Sequence, residues 1–155
     1  MNPTENIIIR HAHLGDHEVL LRFEQGIIEA ERPYDTTIKP DPVSYYDLRE
    51  LLLSKEAAIV VAEYAGQLVA SGFVRIREAR HYLDHEQYAY LGFMYTEPSF
   101  RGGGINARII DALKEWALTK GLFEIRLTVY EDNLAAIRAY EKYGFKKHLI
   151  EMRLG

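Results

Sequence analysis

Three consecutive glycines follow an arginine at Arg101–Gly104, directly between a predicted strand and a predicted helix. Glycine permits positive φ and a close approach of the backbone to a ligand. The N-terminus of the following helix adds unpaired N–H groups and the positive end of its dipole, and Arg101 adds a fixed positive charge. Together these features predict an anion site, most naturally for a phosphate or pyrophosphate, although a flexible surface turn would use the same glycines.

Two other kinds of phosphate-binding loop fit this segment less well. A Walker A loop needs Gly-Lys followed by Ser or Thr, which the segment lacks, so ATP or GTP hydrolysis is not expected. The spacing Gly102-x-Gly104-x-x-Ala107 fits a dinucleotide-binding pattern, but it follows antiparallel hairpins and leaves no room for the second half of that fold. Glu131 and Asp132, the candidates for its ribose-binding acid, lie beyond the usual spacing of about 20 residues. A dinucleotide-binding protein is therefore the less favoured alternative.

Two pairs of histidines have spacings that occur in metal sites. His81 and His85 are four residues apart with Asp84 between them, and His11 and His13 would share one face of a strand. Neither pair comes with a third or fourth ligand, so the sequence predicts solvated histidines and no metal. The chain has no cysteine, which excludes disulfides and a cysteine nucleophile.

The elements that would position the glycine loop are read from hydrophobic periodicity. The predicted strands are Ile7–Arg10, Ala57–Tyr64, Gln67–Arg77, Tyr88–Thr96, Glu124–Tyr130 and Phe145–Arg153. The predicted helices are Asp16–Arg32, one capped by Ser44 with Asp47 in its first turn, Ile105–Lys120 and Leu134–Tyr143. Ala65–Gly66 predicts a hairpin turn. Hairpins followed by a strand–helix–strand crossover predict a mixed α/β (α+β) fold, in which a mostly antiparallel central sheet carries helices on both faces.

Length and composition place this fold in one domain. The 155 residues, 48% hydrophobic and 27% charged, suit a single domain spanning residues 1–155. A net charge of −4 argues against a globally basic nucleic-acid surface. MNPTENIIIR does not resemble a signal peptide, and no apolar run reaches the roughly 20 residues that span a bilayer. A cytoplasmic protein is therefore expected, with no nucleic-acid or membrane partner.

Two blocks of the sequence resemble the GCN5-related N-acetyltransferase (GNAT) superfamily. Thr96–Asn106 (TEPSFRGGGIN) is similar to the family's strand, proline turn and Arg/Gln-x-x-Gly-x-Gly/Ala loop. Asn133–Phe145 (NLAAIRAYEKYGF) is similar to the family's Asn-x-x-Ala-x-x-x-Tyr-x-x-x-Gly-Phe ending. The blocks stand in family order and at family spacing, and the predicted elements fit the family over essentially the whole chain.

The resemblance implies an acyl-CoA N-acyltransferase fold and an enzyme that transfers acetyl from acetyl-CoA to a primary amine by direct attack in a ternary complex. The sheet would open between the strands ending at Thr96 and Tyr130, with pantetheine in the opening. Tyr140 matches the tyrosine that protonates the departing thiolate. The implied cofactor-binding residues are Met94, Tyr95, Thr96, Arg101, Gly102, Gly103, Gly104, Ile105, Asn106 and Asn133.

Two positions depart from the family pattern. Asn106 stands where the loop usually has Gly or Ala, and its side chain could donate a hydrogen bond to the pyrophosphate or crowd it. Gly92 stands where many members carry a general-base glutamate. The base is therefore open among bulk water and the side chains of Glu29, Glu31, Glu86, Tyr90 and Glu97. A non-catalytic acyl-CoA-binding module would keep the loop without needing a base, and stays an alternative.

The acceptor is not identified by the sequence. In the resembled family, the segment between the first two helices borders the acceptor pocket. Glu29, Glu31 and Asp35 could there hold a cationic amine with Tyr34 as an apolar wall, and Tyr90 is a further candidate; a solvated loop is the alternative. The last strand could pair across a homodimer.

Overall fold

The computed structural model describes residues 6–155 and builds them around one sheet. In that part of the chain five strands lie in sequential order, the first four antiparallel and the fifth parallel to the fourth. They are β1 Ile8–His11, β2 Ala57–Tyr64, β3 Gln67–Glu78, β4 Gln87–Thr96 and β5 Ile125–Arg126. The predicted mixed, mostly antiparallel sheet is confirmed. So is the β2–β3 hairpin, whose turn residues Ala65 and Gly66 both have positive φ.

In the described residues four α-helices accompany the sheet, and their ends follow local side-chain chemistry. They are α1 His17–Glu31, α2 Leu48–Leu53, α3 Ile105–Thr119 and α4 Leu134–Tyr143. The Asp47 carboxylate accepts a hydrogen bond from the Glu50 N–H and caps α2. The prediction of Ser44 as this cap is wrong, because the helix begins only at Leu48. Gly144, at φ 128°, ends α4 as the sequence predicts.

The helices cover both faces of the sheet and enclose two buried clusters, as predicted. α1 and α2 pack on one face through Leu20, Phe23 and Leu48. α3 packs on the other face through Ile109 and Leu113, both fully buried. α4 contains no fully buried residue and contacts the second cluster through partly buried side chains.

A buried carboxylate on α1 holds the chain that leads into α2. Glu24 is 1% exposed and accepts hydrogen bonds from the N–H groups of Tyr45 at 3.0 Å and Tyr46 at 2.8 Å. The Ser44 hydroxyl also donates to it, at 3.4 Å. Buried carboxylates need such donors, because their removal from water is otherwise costly. The two tyrosines are thereby fixed between α1 and the sheet.

The middle of β4 carries a bulge. Ser71 faces Tyr95 and Phe73 faces Gly92, so Phe93 and Met94 together oppose a single β3 residue. Phe93 has φ 57°, a left-handed conformation that costs a residue with a Cβ roughly 1–3 kcal/mol. The buried Ser71 hydroxyl donates a 3.2 Å hydrogen bond to the Phe93 carbonyl and helps to hold this conformation.

Gly92, beside the bulge, makes room for an aromatic ring. A Cβ at this position would lie 2.6 Å and 2.7 Å from Cζ and Cε1 of Phe73. Phe73 is itself 1% exposed and packs edge-on against Tyr46, so its ring has little freedom to move. The space beside β4 that a Gly92 side chain would need is therefore filled by Phe73.

Two sequence predictions about the far side of the sheet need correction. Only Ile125–Arg126 of the predicted Glu124–Tyr130 strand pairs with a neighbour, and within residues 6–155 the predicted Phe145–Arg153 strand joins no ladder. Both segments have strand-like composition, but a strand also needs a hydrogen-bonding neighbour.

The structure tests only part of the expectations about a signal peptide and about membrane spans. Residues 1–5, half of the segment judged unlike a signal peptide, lie outside the described residues. None of the helices in residues 6–155 combines the length and apolarity that crossing a bilayer requires.

The close packing of Phe73 against Gly92 predicts that a side chain at position 92 destabilises the fold, and that the loss depends on the Phe73 ring. Gly92→Ala should lower the free energy of unfolding by about 1–3 kcal/mol because the new methyl group overpacks the core. In a Phe73→Leu background the same change should cost at least about 1 kcal/mol less, since the ring is gone. Urea denaturation of the four proteins measures this coupling. Strictly additive losses would contradict the proposed clash.

Candidate active site

The sheet opens between β4 and β5. The two parallel strands pair only at Ala89 with Ile125 and at Tyr90 with Arg126. Beyond Tyr90, residues 91–96 and 127–130 form no ladder with each other. This is the opening that the family resemblance implies, and it lies next to the β4 bulge.

The predicted anion loop lies at the end of β4 and leads into α3. Gly102 and Gly104 both have φ 81°, which explains glycine at these two positions. No side chain caps the N-terminus of α3, so its first-turn N–H groups are available to a ligand. The Arg101 guanidinium donates through Nε to the Thr96 carbonyl at 3.0 Å, which ties the loop to the strand. An exposed, uncapped helix start beside a tethered arginine fits a phosphate group.

The other predicted cofactor residues take different positions. Ile105 is buried and serves the core, so only its backbone can face a ligand, whereas Asn106 is half-buried on the first turn of α3. The Tyr95 side chain stacks on Phe23 of α1 at 4.7 Å and donates to Glu97 at 3.2 Å, away from the loop. Met94 lies on the bulge.

Asn133 caps α4, where its side-chain oxygen accepts from the Ala136 N–H at 3.3 Å. This cap leaves the amide nitrogen of Asn133 as a remaining donor.

Tyr140, the predicted catalytic residue, reaches the opening from α4. Burial raises the pKa of its hydroxyl, the charges of Glu31 and Tyr90 act in the same direction, and together they bring the pKa to about 12. The ring packs against Phe145 at 5.9 Å. No side chain of residues 6–155 makes a hydrogen bond to the hydroxyl. The phenol is therefore protonated at neutral pH and available to a bound molecule.

Glu31, at the last position of α1, lies among tyrosines. Burial raises the pKa of its carboxyl group, the Tyr45 hydroxyl opposes that rise and the Asp35 charge adds to it. The hydroxyl oxygen of Tyr45 is buried and faces this carboxylate, but the pair does not reach hydrogen-bond geometry. A buried hydroxyl without a partner in the described chain is costly and is suited to a ligand that binds beside Glu31.

Tyr46 links this cluster to the β4 bulge. Burial raises the pKa of its hydroxyl, as does the charge of Glu31, whereas a hydrogen bond from the Phe93 backbone opposes the rise. Its ring packs edge-on against Phe93 at 5.7 Å. Tyr46 therefore contacts the bulge through Phe93, and the charge of Glu31 acts on its hydroxyl.

Tyr34 and Tyr130 form an aromatic pair at the outer side of the opening. The Tyr130 hydroxyl donates to the Asp35 carboxylate at 2.9 Å, and the Tyr34 and Tyr130 rings stack at 6.2 Å. Burial, the hydrogen bond to Asp35 and the charges of Asp35 and Glu31 together raise the pKa of Tyr130 to about 12. Tyr90 is the last β4 residue that pairs with β5, and its hydroxyl shares a 2.8 Å hydrogen bond with the Thr128 hydroxyl.

The candidate carboxylates for a general base differ in their exposure and in their partners. Glu29 and Glu86 are exposed, and Glu97 is engaged by Tyr95 and by Arg22 at 3.6 Å. Gly92 offers no carboxylate, and Phe73 fills the space beside it. Of these carboxylates, only Glu31 interacts with Tyr140.

Of the histidines weighed for metal binding, His85 bonds to Asp84 at 2.8 Å and His81 is exposed. Across residues 6–155, no group of three or more His, Asp or Glu side chains is arranged to hold a metal ion.

Sequence reasoning did not identify Tyr45, Tyr46 or Tyr130 as site residues. Their positions depend on Glu24 and on Asp35, which are distant in sequence. Two adjacent tyrosines ahead of a predicted helix are the one local signal, and it carries no information about which side of the sheet they reach.

Comparison with known proteins agrees with this architecture. The model of the acetyltransferase (GNAT) family matches residues 25–145. Acetyltransferase ECA0875 from Pectobacterium atrosepticum is 32% identical over 115 residues, which cover 69% of this chain and 76% of that protein. Thialysine N-epsilon-acetyltransferase from Bos taurus is 40% identical over 55 residues, 36% of this chain and 32% of that protein. The matched region thus spans about a third of the length of the bovine relative.

A solved structure has the same fold. A protein from Clostridium acetobutylicum, described as a predicted acetyltransferase with acetyl-CoA, superposes with a TM-score of 0.76 at 21% identity. The superposition covers 96% of this chain and 96% of that one.

Proposed function

This chain belongs to the acetyltransferase (GNAT) family, and we propose that its residues 1–155 form a single domain that transfers the acetyl group of acetyl-CoA to a primary amine. The observation that carries the proposal is one opening in the sheet that has an uncapped helix start at one end and a Glu31–Tyr140 pair beside it. A phosphate-binding group and two proton-transfer groups are what acyl transfer from a CoA thioester requires.

Acetyl-CoA is the substrate that fits the loop. The first-turn N–H groups of α3 and the Arg101 guanidinium would hold the pyrophosphate, and Asn106 would donate a hydrogen bond to it. The divergence of β4 from β5 leaves an edge along Met94–Thr96 against which the pantetheine amides would lie. The Asn133 amide nitrogen would contact the same arm. These assignments leave the Tyr95 side chain, which packs on α1, without a role in binding.

Glu31 and Tyr140 would divide the proton transfers between them. Glu31 would take a proton from the acceptor ammonium, so that the neutral amine attacks the thioester carbonyl. The new C–N bond forms, the C–S bond breaks, and the Tyr140 hydroxyl would donate its proton to the departing sulfur. The second proton that the amine nitrogen loses as the amide forms would pass to solvent, from which Tyr140 would be reprotonated. Because the Tyr140 pKa is about 12, the phenol stays protonated until the thiolate appears. Holding amine and thioester together supplies the remaining rate enhancement.

The class of amine that would serve as acceptor is inferred from the side chains around the opening. Glu31 and Asp35 offer negative charge, while Tyr34, Tyr46 and Tyr130 offer aromatic faces. Aromatic rings beside carboxylates favour a cationic amine with an apolar body. The bovine relative is named for an amine acceptor, thialysine, which agrees with this class. Glu29 is exposed and receives no role, although the sequence included it as a candidate.

The proposal is tested first by binding and turnover of the wild-type protein. Titration calorimetry should detect acetyl-CoA and CoA but not NADH, which is the ligand expected of a dinucleotide-binding protein. With acetyl-CoA and a panel of primary amines, a chromogenic disulfide reagent should detect released thiol; the chain adds no background because it has no cysteine. Binding without turnover on any amine would favour the non-catalytic module, and NADH binding would favour the dinucleotide alternative.

Tyr140→Phe should lower kcat roughly 10²-fold or more while leaving the Kd for CoA unchanged, because only the proton donor is lost. The matched control is Tyr143→Phe, three residues further along α4. Its hydroxyl donates to Asp111 at 2.6 Å and has no role in the proposed chemistry. Both variants are measured by steady-state kinetics and calorimetry. Equal kinetic defects in the two variants would refute a specific role for Tyr140.

Glu31→Gln should lower kcat about 10²- to 10³-fold and change the pH profile. The wild-type carboxyl group acts as a base only when it is ionised, so kcat should fall as pH drops through its raised pKa. This fall in kcat at low pH, the acidic limb of the profile, should disappear in the variant. The residual rate of the variant should depend on pH only through the fraction of the acceptor amine that is unprotonated. The other titratable groups around Glu31 are Asp35, Tyr45, Tyr46, Tyr130 and Tyr140.

The control for Glu31 is Glu29→Gln, an exposed residue on the same helix, which should keep the wild-type profile. An acidic limb that persists in Glu31→Gln would assign the base to another group.

A further inference from the structure

Three arginines lie near the point where β4 and β5 diverge, on the face of the sheet against which α1 and α2 pack. Phe73 and Tyr90 belong to the hydrophobic cluster on that face. Side chains alternate along a strand, so Arg75 and Arg77 of β3 lie on the same face as Phe73. Arg75 is opposite Tyr90 in the β3–β4 ladder, and Arg126 of β5 is opposite Tyr90 on its other side. Arg75, Arg77 and Arg126 thus form one arginine patch around Tyr90.

Two guanidinium groups of the arginine patch lie over tyrosine rings of β4. The Arg77 guanidinium carbon is 3.6 Å from the centre of the Tyr90 ring, which is a close cation–π contact. The Arg126 guanidinium carbon is 5.1 Å from the centre of the Tyr88 ring. A guanidinium held over a ring keeps N–H groups at its edge, where they can bind two oxygens of a carboxylate or a phosphate.

Arg75 has no anionic partner in the part of the chain that the structure describes. Four arginines of residues 6–155 are half-buried, and three of them form ion pairs, namely Arg10 with Asp16, Arg32 with Asp41 and Arg126 with Glu124. Arg75 is the fourth, and within the same residues it makes neither an ion pair nor a hydrogen bond through its side chain. Because a cation that is partly removed from water needs a counter-charge, Arg75 is suited to an anion that a ligand supplies.

The opening therefore has a negative side and a positive side. Glu31 provides the negative side, and in the described residues it forms no ion pair with the arginine patch. Tyr90 connects the two sides: it acts electrostatically on the hydroxyls of Tyr46 and Tyr140, as Glu31 does, while its ring contacts Arg77. The whole chain has a net charge of −4, so the positive side is a local feature of this surface.

We propose that the acceptor is a zwitterion whose amine faces Glu31 and Tyr140 and whose carboxylate or phosphate group binds Arg75 and Arg77. This inference rests on the proposed function for the position of the amine, and it adds the chemical class of the substrate. The body of the acceptor would lie across the Tyr90 ring, which separates the two sides. Arg126 is already paired with Glu124 and would contribute positive potential without binding the anion directly.

Unbranched ω-amino acids and their primary amides, from β-alanine to ε-aminocaproate, test the class of acceptor. The two members of each pair have the same length and the same reacting amine, and they differ in the negative charge. At the favoured length, kcat/KM for the acid should exceed that for its amide at least about tenfold, because hydrogen bonds between two charged groups are stronger than neutral ones. Aminoalkyl phosphonates of matched length distinguish a phosphate site from a carboxylate site. Amides that react as well as both kinds of anion would overturn the proposal.

Variants of the arginine patch test which residues recognise the anion. Arg75→Gln and Arg77→Gln should each reduce the preference for the acid over the amide at least about fivefold, mainly by raising KM for the acid. Arg75→Lys keeps the charge and should retain more of the preference than Arg75→Gln. The matched control is Arg49→Gln, which removes an exposed arginine of α2 and should keep the wild-type preference. A preference that survives in both glutamine variants of the patch, or that falls equally in Arg49→Gln, would overturn the assignment.

Calorimetry distinguishes a failure of this inference from a failure of the proposed function. The same acids, phosphonates and amides are titrated into the protein in the presence of CoA, which measures binding without turnover. Tighter binding of an anionic amine than of its amide, lost in Arg75→Gln, would support the arginine patch even where no amine is acetylated. Equal binding of anionic amines and amides would overturn the zwitterionic acceptor, and turnover of the amides would then leave the acetyltransferase proposal intact.

Discussion

Phe93 adopts a left-handed backbone conformation in the middle of β4, and its surroundings hold it there. The Ser71 hydroxyl binds its carbonyl, and Tyr46 packs against its ring. The conformation is unfavourable on its own, so it persists only because buried neighbours stabilise it. The resulting bulge at Phe93 and Met94 shifts the β3–β4 register a few residues past Tyr90, the last β4 residue that pairs with β5. The bulge therefore lies next to the opening in the sheet, and Tyr46 connects it to the groups around Glu31.

The positions of Glu31 and of the tyrosines around it follow from packing around the bulge. Phe73 occupies the space that a side chain at Gly92 would need, so the strand does not supply a carboxylate at that point. The end of α1 supplies Glu31 instead, and Glu24 on the same helix fixes Tyr45 and Tyr46 around it. Burial raises the pKa of Glu31, and burial together with its charge raises the pKa of Tyr140. One helix thus contributes the carboxylate and organises the aromatic wall beside it.

Much of the fold was predictable because its determinants are local. The helices α1, α3 and α4 follow from apolar spacing, Gly144 ends α4, and the β2–β3 hairpin follows from two turn residues. The glycine loop was predictable too, since Gly102 and Gly104 need positive φ where a strand meets a helix. The predictions for 124–130 and 145–153 were wrong as paired strands, because strand composition does not specify that a partner is present.

The sequence by itself determined the order of the elements, the glycine loop at the start of α3 and the presence of Tyr140 four residues before Gly144, which ends α4. Each of these is encoded within a few neighbouring residues. Only the tertiary structure decided that Glu31, rather than Glu29, Glu86 or Glu97, is the carboxylate whose charge acts on Tyr140, and that Phe73 fills the place next to Gly92. It also decided that Tyr45, Tyr46 and Tyr130 join the site. These outcomes rest on contacts between residues far apart in the chain, whose energies depend on burial and on packing that no local pattern contains.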